Sequence, residues 1–218
     1  MKTLIIRIIF LAILPSSVYA EENSEVRMNE IIASQTEANT LKIINNAWDA
    51  YKLGDFQTAF DLWHPLAEVG NPSAQVYIGL MYNQGHSVSQ DDSEAAKWYT
   101  LASDQGYAPA KWRLAVLYHH GSGLPQNYQK SAELYDYAAR KGDFYAQKML
   151  GVIFSQGLGV QKDNIIAHLW FHISVENGSP FGEKYRDEIA KSMGIEEIFL
   201  SNAMAKDCMD SGYTKCGY

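Results

Sequence analysis

Two pairs of histidines have spacings that could support metal binding or catalysis. His168 and His172 lie four residues apart, a separation that places both rings on one face of a helix and can hold a metal ion. The residues between them, Leu169 to Phe171, are apolar, and no carboxylate accompanies the pair in the usual metalloprotease pattern. We therefore expect these histidines to have a surface or groove role and to bind no metal.

The adjacent residues His119 and His120 end an apolar segment, as polar residues do at the equivalent places elsewhere in the chain, and they indicate a solvated turn. No serine lies in a Gly-x-Ser-x-Gly or Ser-x-x-Lys pattern, which would suggest acyl transfer. The sequence also contains no phosphate loop and no dinucleotide fingerprint. We therefore predict that the protein is not an enzyme and has no catalytic residue, cofactor or metal.

The chain has two cysteines, Cys208 and Cys216, both close to the C-terminus. Two nearby cysteines usually pair in an oxidising compartment. A redox-active pair would instead favour the Cys-x-x-Cys spacing beside a helix start, and a metal site would need histidine partners nearby. We therefore expect a structural disulfide that holds the C-terminal tail against the last helix.

A 36-residue repeat extends from Gly70 to Gly178 and contains both pairs of histidines. Glycine recurs at that interval, and the small, large and aromatic residues between the glycines agree by position. Periods of this length are typical of solenoids and stacked arrays. The glycines that mark the repeat are Gly70, Gly106, Gly142 and Gly178.

Each repeat contains two segments with helical spacing. In the first, Ala74, Ile78 and Tyr82 follow one another at intervals of four, and a glycine such as Gly85 comes where a left-handed cap is expected. The second opens beside a residue that can cap free N–H groups. These candidate caps are Asp91, Asn127 and Asp163. Each unit is therefore predicted to be a helix–turn–helix hairpin, in which Gly79 and Gly151 mark close helix contacts.

The segments AQVYIGLMYNQGHSVSQDDSEAAKWYTLASDQG and AQKMLGVIFSQGLGVQKDNIIAHLWFHISVENG resemble Sel-one-like repeats, a family related to the tetratricopeptide repeats. The resemblance implies an all-α, right-handed solenoid of stacked hairpins that binds other proteins. Ser87 departs from the family pattern, because a glycine is usual at that place. Some cysteine-rich relatives have been linked with β-lactam binding, but they carry paired cysteines in each repeat, and this chain does not.

The chain divides into a short N-terminal part and one solenoid. Residues 1–20 are predicted to be a cleaved signal peptide, because an apolar stretch follows Lys2 and Arg7 and a small-x-small pattern ends at Ala20. Residues 21–40 form a polar lead-in, either flexible or an irregular first helix. The solenoid, residues 41–218, is expected to comprise units near 41–69, 70–105, 106–141 and 142–177, followed by closing helices and the disulfide tail at 178–218.

Charge limits the partners. Lys and Arg number 18 against 25 Asp and Glu, giving a net charge of −7. An acidic chain with no basic stripe repels nucleic acid and anionic lipid. We therefore expect no nucleic-acid partner and, after cleavage, no stable membrane insertion. The bacterial members that the chain resembles favour a periplasmic location over secretion to the medium.

Binding residues are expected where the first helices vary between repeats, since the first helices typically line the concave face of such solenoids. The middle repeat brings together Trp112, Arg113 and His119, and Trp and Arg are frequent in binding hot spots. With Tyr77 and Asn83 from the preceding repeat, they form the predicted binding set. The alternative for Trp112 is that it only packs between neighbouring hairpins.

These observations predict an exported, non-catalytic scaffold of the bacterial cell envelope that binds a peptide or loop of an envelope protein on its concave face. A first alternative is a protein that binds peptidoglycan or muropeptides through its aromatic groove. A second alternative is a hydrolase that acts on the cell wall or on β-lactams. The sequence does not name the partner.

Overall fold

The computed structural model describes residues 35–217. These residues form ten α-helices and no strand. The first helix, α1, is described from residue 35 and ends at residue 52. The others are α2 (Phe56–Glu68), α3 (Pro72–Gln84), α4 (Asp92–Asp104), α5 (Ala108–His120), α6 (Tyr128–Ala139), α7 (Phe144–Gln156), α8 (Asn164–Glu176), α9 (Gly182–Ala190) and α10 (Ile195–Asp210).

The helices begin and end where the sequence predicts. Asp91 caps α4 by accepting hydrogen bonds from the backbone N–H groups of Ser93 and Glu94, at 2.8 and 3.0 Å. The equivalent residues Asn127 and Asp163 cap α6 and α8 in the same way. The first helix of each of these hairpins ends on a glycine in the left-handed region, where residues with a Cβ are disfavoured. These glycines are Gly85, Gly121 and Gly157, with φ values of 70, 71 and 71°.

The ten helices stack as consecutive hairpins. Within a hairpin, α3 packs on α4, α5 on α6 and α7 on α8. Successive hairpins join where the second helix of one packs on the first helix of the next, as α4 does on α5 and α6 on α7. The first helices α3 and α5 also touch each other, as expected on the inner side of a curved stack. The architecture is the predicted α-solenoid.

A buried aromatic residue occupies the same place in each second helix and forms the centre of its hairpin. Where the facing first helix carries glycine, the ring and the helix backbone lie in close contact. A Cβ added to Gly79 would lie only 2.6 Å from Cε1 of Tyr99, and one added to Gly151 would overlap the ring of Phe171. The tight contacts predicted at both glycines are therefore confirmed. The four central aromatic residues are Trp63, Tyr99, Tyr135 and Phe171.

The C-terminal end of the stack departs from the repeat. Both α9 and α10 pack on α8, so the last complete hairpin is covered by two helices. Cys208 on α10 is bonded to Cys216, and both sulfur-bearing residues are buried. The predicted disulfide is therefore present and holds the tail against the last helix.

The N-terminal part differs in one respect from the predicted boundary. Residues 35–40 are already helical, so the division drawn between Thr40 and Leu41 falls inside α1. The turns of α1 that contain Ile44 and Ala47 are anchored in the core, and helix formation propagates from an anchored turn into polar sequence. The predicted signal peptide lies outside the described residues. Between residues 35 and 217, none of the helices combines the length and the apolarity needed to cross a membrane.

Candidate binding face

The first-helix face is defined here as the surface formed by the solvent-facing side chains of α3, α5 and α7 together with Tyr185 of α9. Its most regular feature is a column of four residues at 36-residue spacing. Three of the four, Tyr77, Arg113 and Tyr185, lie over the central aromatic residue of the preceding hairpin. Tyr77 stacks on Trp63, with ring centroids 4.3 Å apart, and Tyr185 stacks on Phe171 at 5.4 Å. The column consists of Tyr77, Arg113, Met149 and Tyr185.

Arg113 is the charged member of this column, and it is half-buried. Its guanidinium carbon lies 5.9 Å from the centroid of the Tyr99 ring and 5.2 Å from that of Trp112, both within cation–π range. Burial raises the pKa of Tyr99 to about 12, and the charge and hydrogen bonding of Arg113 oppose that rise. The guanidinium is therefore positioned by the phenol ring of Tyr99 and the indole ring of Trp112.

The charge of Arg113 also affects the pKa values of two further tyrosines. Burial raises the pKa of Tyr51 and of Tyr77, and in both cases Arg113 acts in the opposite direction. Tyr51 also donates a hydrogen bond to Oε1 of Gln84 at 2.5 Å. The structure thus brings the predicted residues Tyr77 and Arg113 into one electrostatic environment, although they come from different repeats.

Trp112 is half-buried and belongs to both the core and the face. Its ring packs against the large hydrophobic core of the C-terminal hairpins and lies 5.9 Å from the ring of Tyr145 on α7. The indole N–H is buried and has no acceptor in the described part of the chain. Trp112 therefore makes the packing contacts that the sequence analysis named as the alternative, while part of its ring stays accessible.

Asn83 and His119, the other two predicted binding residues, lie at the C-terminal ends of α3 and α5, and both make contacts within their own hairpins. The side-chain amide of Asn83 donates to Oδ1 of Asp92 at 2.7 Å. The ring of His119 lies edge-on to Tyr128, at 5.3 Å between centroids. Burial and the neighbouring His120 lower the pKa of His119. These two residues mark the edge of the face near the turns.

Sequence reasoning missed three aromatic residues of this region. Tyr185 follows Met149 by 36 residues, so the period itself could have identified it. Trp48 of α1 stacks on Tyr77 at 5.5 Å and remains 38% exposed, but the shorter first turn puts it out of phase with the repeat. Tyr145 has no aromatic counterpart in the two preceding first helices, where the equivalent residues are Ser73 and Pro109, so a comparison of those repeats does not single it out.

Val76 corrects one assumption about the variable positions. It shares a repeat position with Trp112 and varies between repeats, yet it is only 4% exposed and lies in the core. A variable position therefore need not be a surface position, because a small apolar side chain at this place is covered by the next hairpin.

The histidines with metal-like spacing have a different position from the one expected. His168 is 3% exposed, and its Nδ1 lies 2.9 Å from Oγ of Ser201 on α10. Burial, followed by the neighbouring charge of His172, lowers the pKa of His168 to about 4. The expected surface or groove role is wrong for His168, which joins α8 to α10. No group of three or more metal-ligating side chains occurs within residues 35–217.

Comparison with known proteins agrees with the geometry. The sequence profile of the Sel1 repeat matches residues 72–107, 108–143 and 144–179. A Sel1 repeat protein from Oxalobacter formigenes superimposes with a TM-score of 0.61 at 27% identity, over 64% of this chain and 56% of that one. The protein c5321, described as a protective antigen of uropathogenic Escherichia coli with an SLR fold, gives 0.67 at 24% identity, over 72% of this chain and 34% of that one.

The chain thus spans about half of the first structure and a third of the second, so both are longer proteins. No curated protein matches this chain. The three consecutive profile matches coincide with the hairpins α3–α4, α5–α6 and α7–α8, and the solved Sel1 structures share their arrangement. The chain therefore belongs to the Sel1 repeat family.

Proposed function

We propose that this protein is an exported, non-catalytic scaffold that binds a peptide or loop of another envelope protein on its first-helix face. Sel1 repeats in general mediate protein–protein interaction, and the proposal specifies the face and the compartment. The observation that carries it is the cluster of Tyr77, Trp112 and Arg113. Three hot-spot residue types from two repeats converge there and remain partly exposed.

The curvature of the stack supports this choice of face. The contact between α3 and α5 indicates that the first helices lie on the inner side, where a solenoid can surround an extended segment. Successive members of the column along this face are one hairpin apart. A bound segment would therefore meet Tyr77, Arg113, Met149 and Tyr185 in turn.

Export is supported by two independent features of the chain. The first 20 residues have the charged, apolar and small-residue parts of a signal peptide. The disulfide between Cys208 and Cys216 suits an oxidising compartment such as the periplasm. Mass spectrometry of the protein recovered from fractionated cells tests the proposal. A mature N-terminus at Glu21 in the periplasmic fraction is expected, and an intact Met1 in the cytosol would contradict it.

An affinity capture from envelope extract tests the binding face. The bait is the mature chain, and the comparison bait carries Trp112→Ala with Arg113→Ala. We expect one or more defined proteins to be retained by the unchanged bait and lost from the variant, after circular dichroism has shown that both are folded. Capture of the same proteins by both baits would exclude the first-helix face as the binding site.

Peptidoglycan binding is a second candidate, favoured by the exposed ring of Trp48 stacked on Tyr77. Such a ring platform can pack against the faces of sugar rings. Cosedimentation with purified sacculi tests this candidate, with Trp48→Ala as the control variant. Retention of the protein that depends on Trp48 would support it, and the absence of cosedimentation would exclude it.

A further inference from the structure

Charge is unevenly divided between the two helices of the repeated hairpins. The second helices α4, α6 and α8 carry two lysines, Lys97 and Lys130, and six carboxylates. The first helices α3, α5 and α7 contain no Asp or Glu, although the chain as a whole has a net charge of −7. The six carboxylates of the second helices are Asp92, Glu94, Asp104, Glu133, Asp136 and Glu176.

The first helices carry three fixed cations, of which two belong to the first-helix face. Lys148 occupies the repeat position of Trp112, and its Nζ lies 5.9 Å from the ring centroid of Tyr185. Lys111 points elsewhere, because its Nζ lies 4.4 Å from the ring of Tyr137 on α6. Its repeat equivalents, Gln75 and Gln147, are buried between hairpins. The face therefore presents Arg113 and Lys148.

No carboxylate of the described residues forms an ion pair with Arg113, whereas Arg140 and Arg186 each pair with an aspartate. Asp143 is near enough for Arg113 to lower its pKa against the larger effect of burial, but its carboxylate caps α7 by accepting from the N–H of Ala146 at 2.8 Å. Rings position the guanidinium, as described above, and its planar set of donors matches a carboxylate.

We propose that the first-helix face recognises an acidic peptide segment and that Arg113 binds one of its carboxylates. Lys148 attracts a second carboxylate one hairpin further along, while the rings of Tyr77, Trp112 and Tyr145 receive the apolar side chains between and beside them. This inference rests on the proposed function and specifies the chemistry of the partner. Charge complementarity selects an acidic segment, because a face without carboxylates offers no counter-charge to a basic one.

A selection from a display library of random short peptides tests the inference, with the purified exported chain as the target. The enriched peptides are synthesised, and their affinities are measured for the unchanged protein and for single-charge variants. Arg113→Gln and Lys111→Gln form a matched pair, since each removes one positive charge from α5 and only the first removes it from the face. Thermal melting of each variant establishes that it is folded.

We expect the enriched peptides to contain Asp or Glu and to bind about tenfold or more weakly to the Arg113→Gln variant, because a charge-assisted bidentate bond is lost. Lys148→Gln should have a smaller effect, and Lys111→Gln should leave the affinity unchanged. Binding to the unchanged protein should also weaken as the salt concentration rises. If Arg113→Gln fails to fold, Arg113→Lys keeps the charge without the planar fork and should weaken binding as well.

Two results would overturn the inference, and they separate it from the proposed function. Neutral or basic peptides whose binding depends on Trp112 but not on Arg113 would leave the binding face in place and refute the acidic partner. Enriched peptides that are insensitive to every variant of the face, or no enriched peptide at all, would refute both proposals together.

Discussion

The repeated hairpins and the closing end of the solenoid are held together in different ways. Between α3 and α8, an aromatic residue of each second helix fills the space beside a small residue of the first helix, as Tyr99 does beside Gly79. At the closing end, a disulfide, the hydrogen bond between His168 and Ser201, and contacts of Tyr213 join α10 and the tail to the preceding helices.

The contacts of Tyr213 show how the tail reaches two earlier hairpins. Its backbone carbonyl accepts a hydrogen bond from Nη1 of Arg140 at 3.2 Å, and its hydroxyl accepts one from the amide of Asn177 at 2.8 Å. The same amide of Asn177 donates to Gln147, which is fully buried. A repeat in the middle is covered by the next repeat, whereas the last complete hairpin is covered by α9, α10 and the tail, which do not continue the repeat. Individual polar and covalent bonds therefore add to the hydrophobic packing at this end.

Gly151→Leu should cause the largest loss of stability, because it breaks the packing that characterises the repeated part. Even a Cβ at this position overlaps the Phe171 ring, so the helices α7 and α8 must separate. We expect the free energy of unfolding to fall by about 3 kcal/mol, the upper end of the usual range for overpacking. Urea denaturation measures the change.

Ala115→Gly is the matched control, since Ala115 occupies the same repeat position and already accommodates a methyl group. It should destabilise the protein by only about 1 kcal/mol, through helix propensity and a small cavity. Equal stability of the Gly151→Leu variant and the unchanged protein would show that the hairpins do not depend on this contact.

Removal of the disulfide should weaken the closing end by about 2–3 kcal/mol in the chain-entropy model, because the bond closes a short loop. The double substitution Cys208→Ala with Cys216→Ala, compared by urea denaturation, measures the loss. Peptide binding to the first-helix face should be unaffected, since the bond lies on α10. A loss of binding in the folded variant would show that the two regions are coupled.

Acidification should act on the closing end through His168. The pKa of His168 is about 4 in the folded protein and about 6.5 when unfolded, so the unfolded state takes up the proton first as the pH falls. The contribution of His168 to the free energy of unfolding is therefore fully present at pH values above the unfolded pKa of 6.5. Between about pH 7 and pH 5 we expect a loss of about 2 kcal/mol, and the loss continues until the pH reaches the folded pKa.

His172, Arg186 and Asp187 also influence the pKa of His168, so the substitution His168→Gln is needed to isolate its share. Its amide can still donate to Ser201, and it does not titrate. The difference in stability between the two pH values should therefore be about 2 kcal/mol smaller in this variant than in the unchanged protein. An identical pH dependence of both proteins would exclude His168 as the cause.

Ser87→Gly should cause the smallest change in stability, and it compares one turn of the repeated part with the equivalent turns of the other hairpins. Ser87 has φ of 62°, in the left-handed region, whereas its equivalents are Gly123 and Gly159. Glycine removes this strain, but the hydrogen bond from the serine hydroxyl to Oε1 of Gln57 at 2.6 Å is lost. We expect a change within about 0.5 kcal/mol in thermal denaturation.

The reverse substitution, Gly159→Ser, is the control. A Cβ at residue 159 would overlap the backbone at Gln129, whereas the hydroxyl of Ser87 donates a hydrogen bond to Gln57. Gly159→Ser should therefore destabilise by at least about 1 kcal/mol. Equal effects of the two substitutions would show that the turns are interchangeable.

The sequence by itself determined the hairpins, because each depends on local and periodic signals. The caps at Asp91, Asn127 and Asp163, the C-terminal glycines of the first helices and the close contacts at Gly79 and Gly151 all recur in phase. The pairing of Cys208 with Cys216 was also predictable, since the two cysteines are close in sequence and have no competitor.

Only the tertiary structure decided which polar and aromatic side chains meet across hairpins. His168 and Ser201 are 33 residues apart, Arg140 and Tyr213 are 73 apart, and neither separation follows the repeat. Val76 and Trp112 share one repeat position, yet the next hairpin buries the first and leaves the second partly exposed. A periodic pattern specifies the contacts that every repeat makes. A contact that occurs only once depends on which hairpins the curvature of the stack brings together and on where the stack ends.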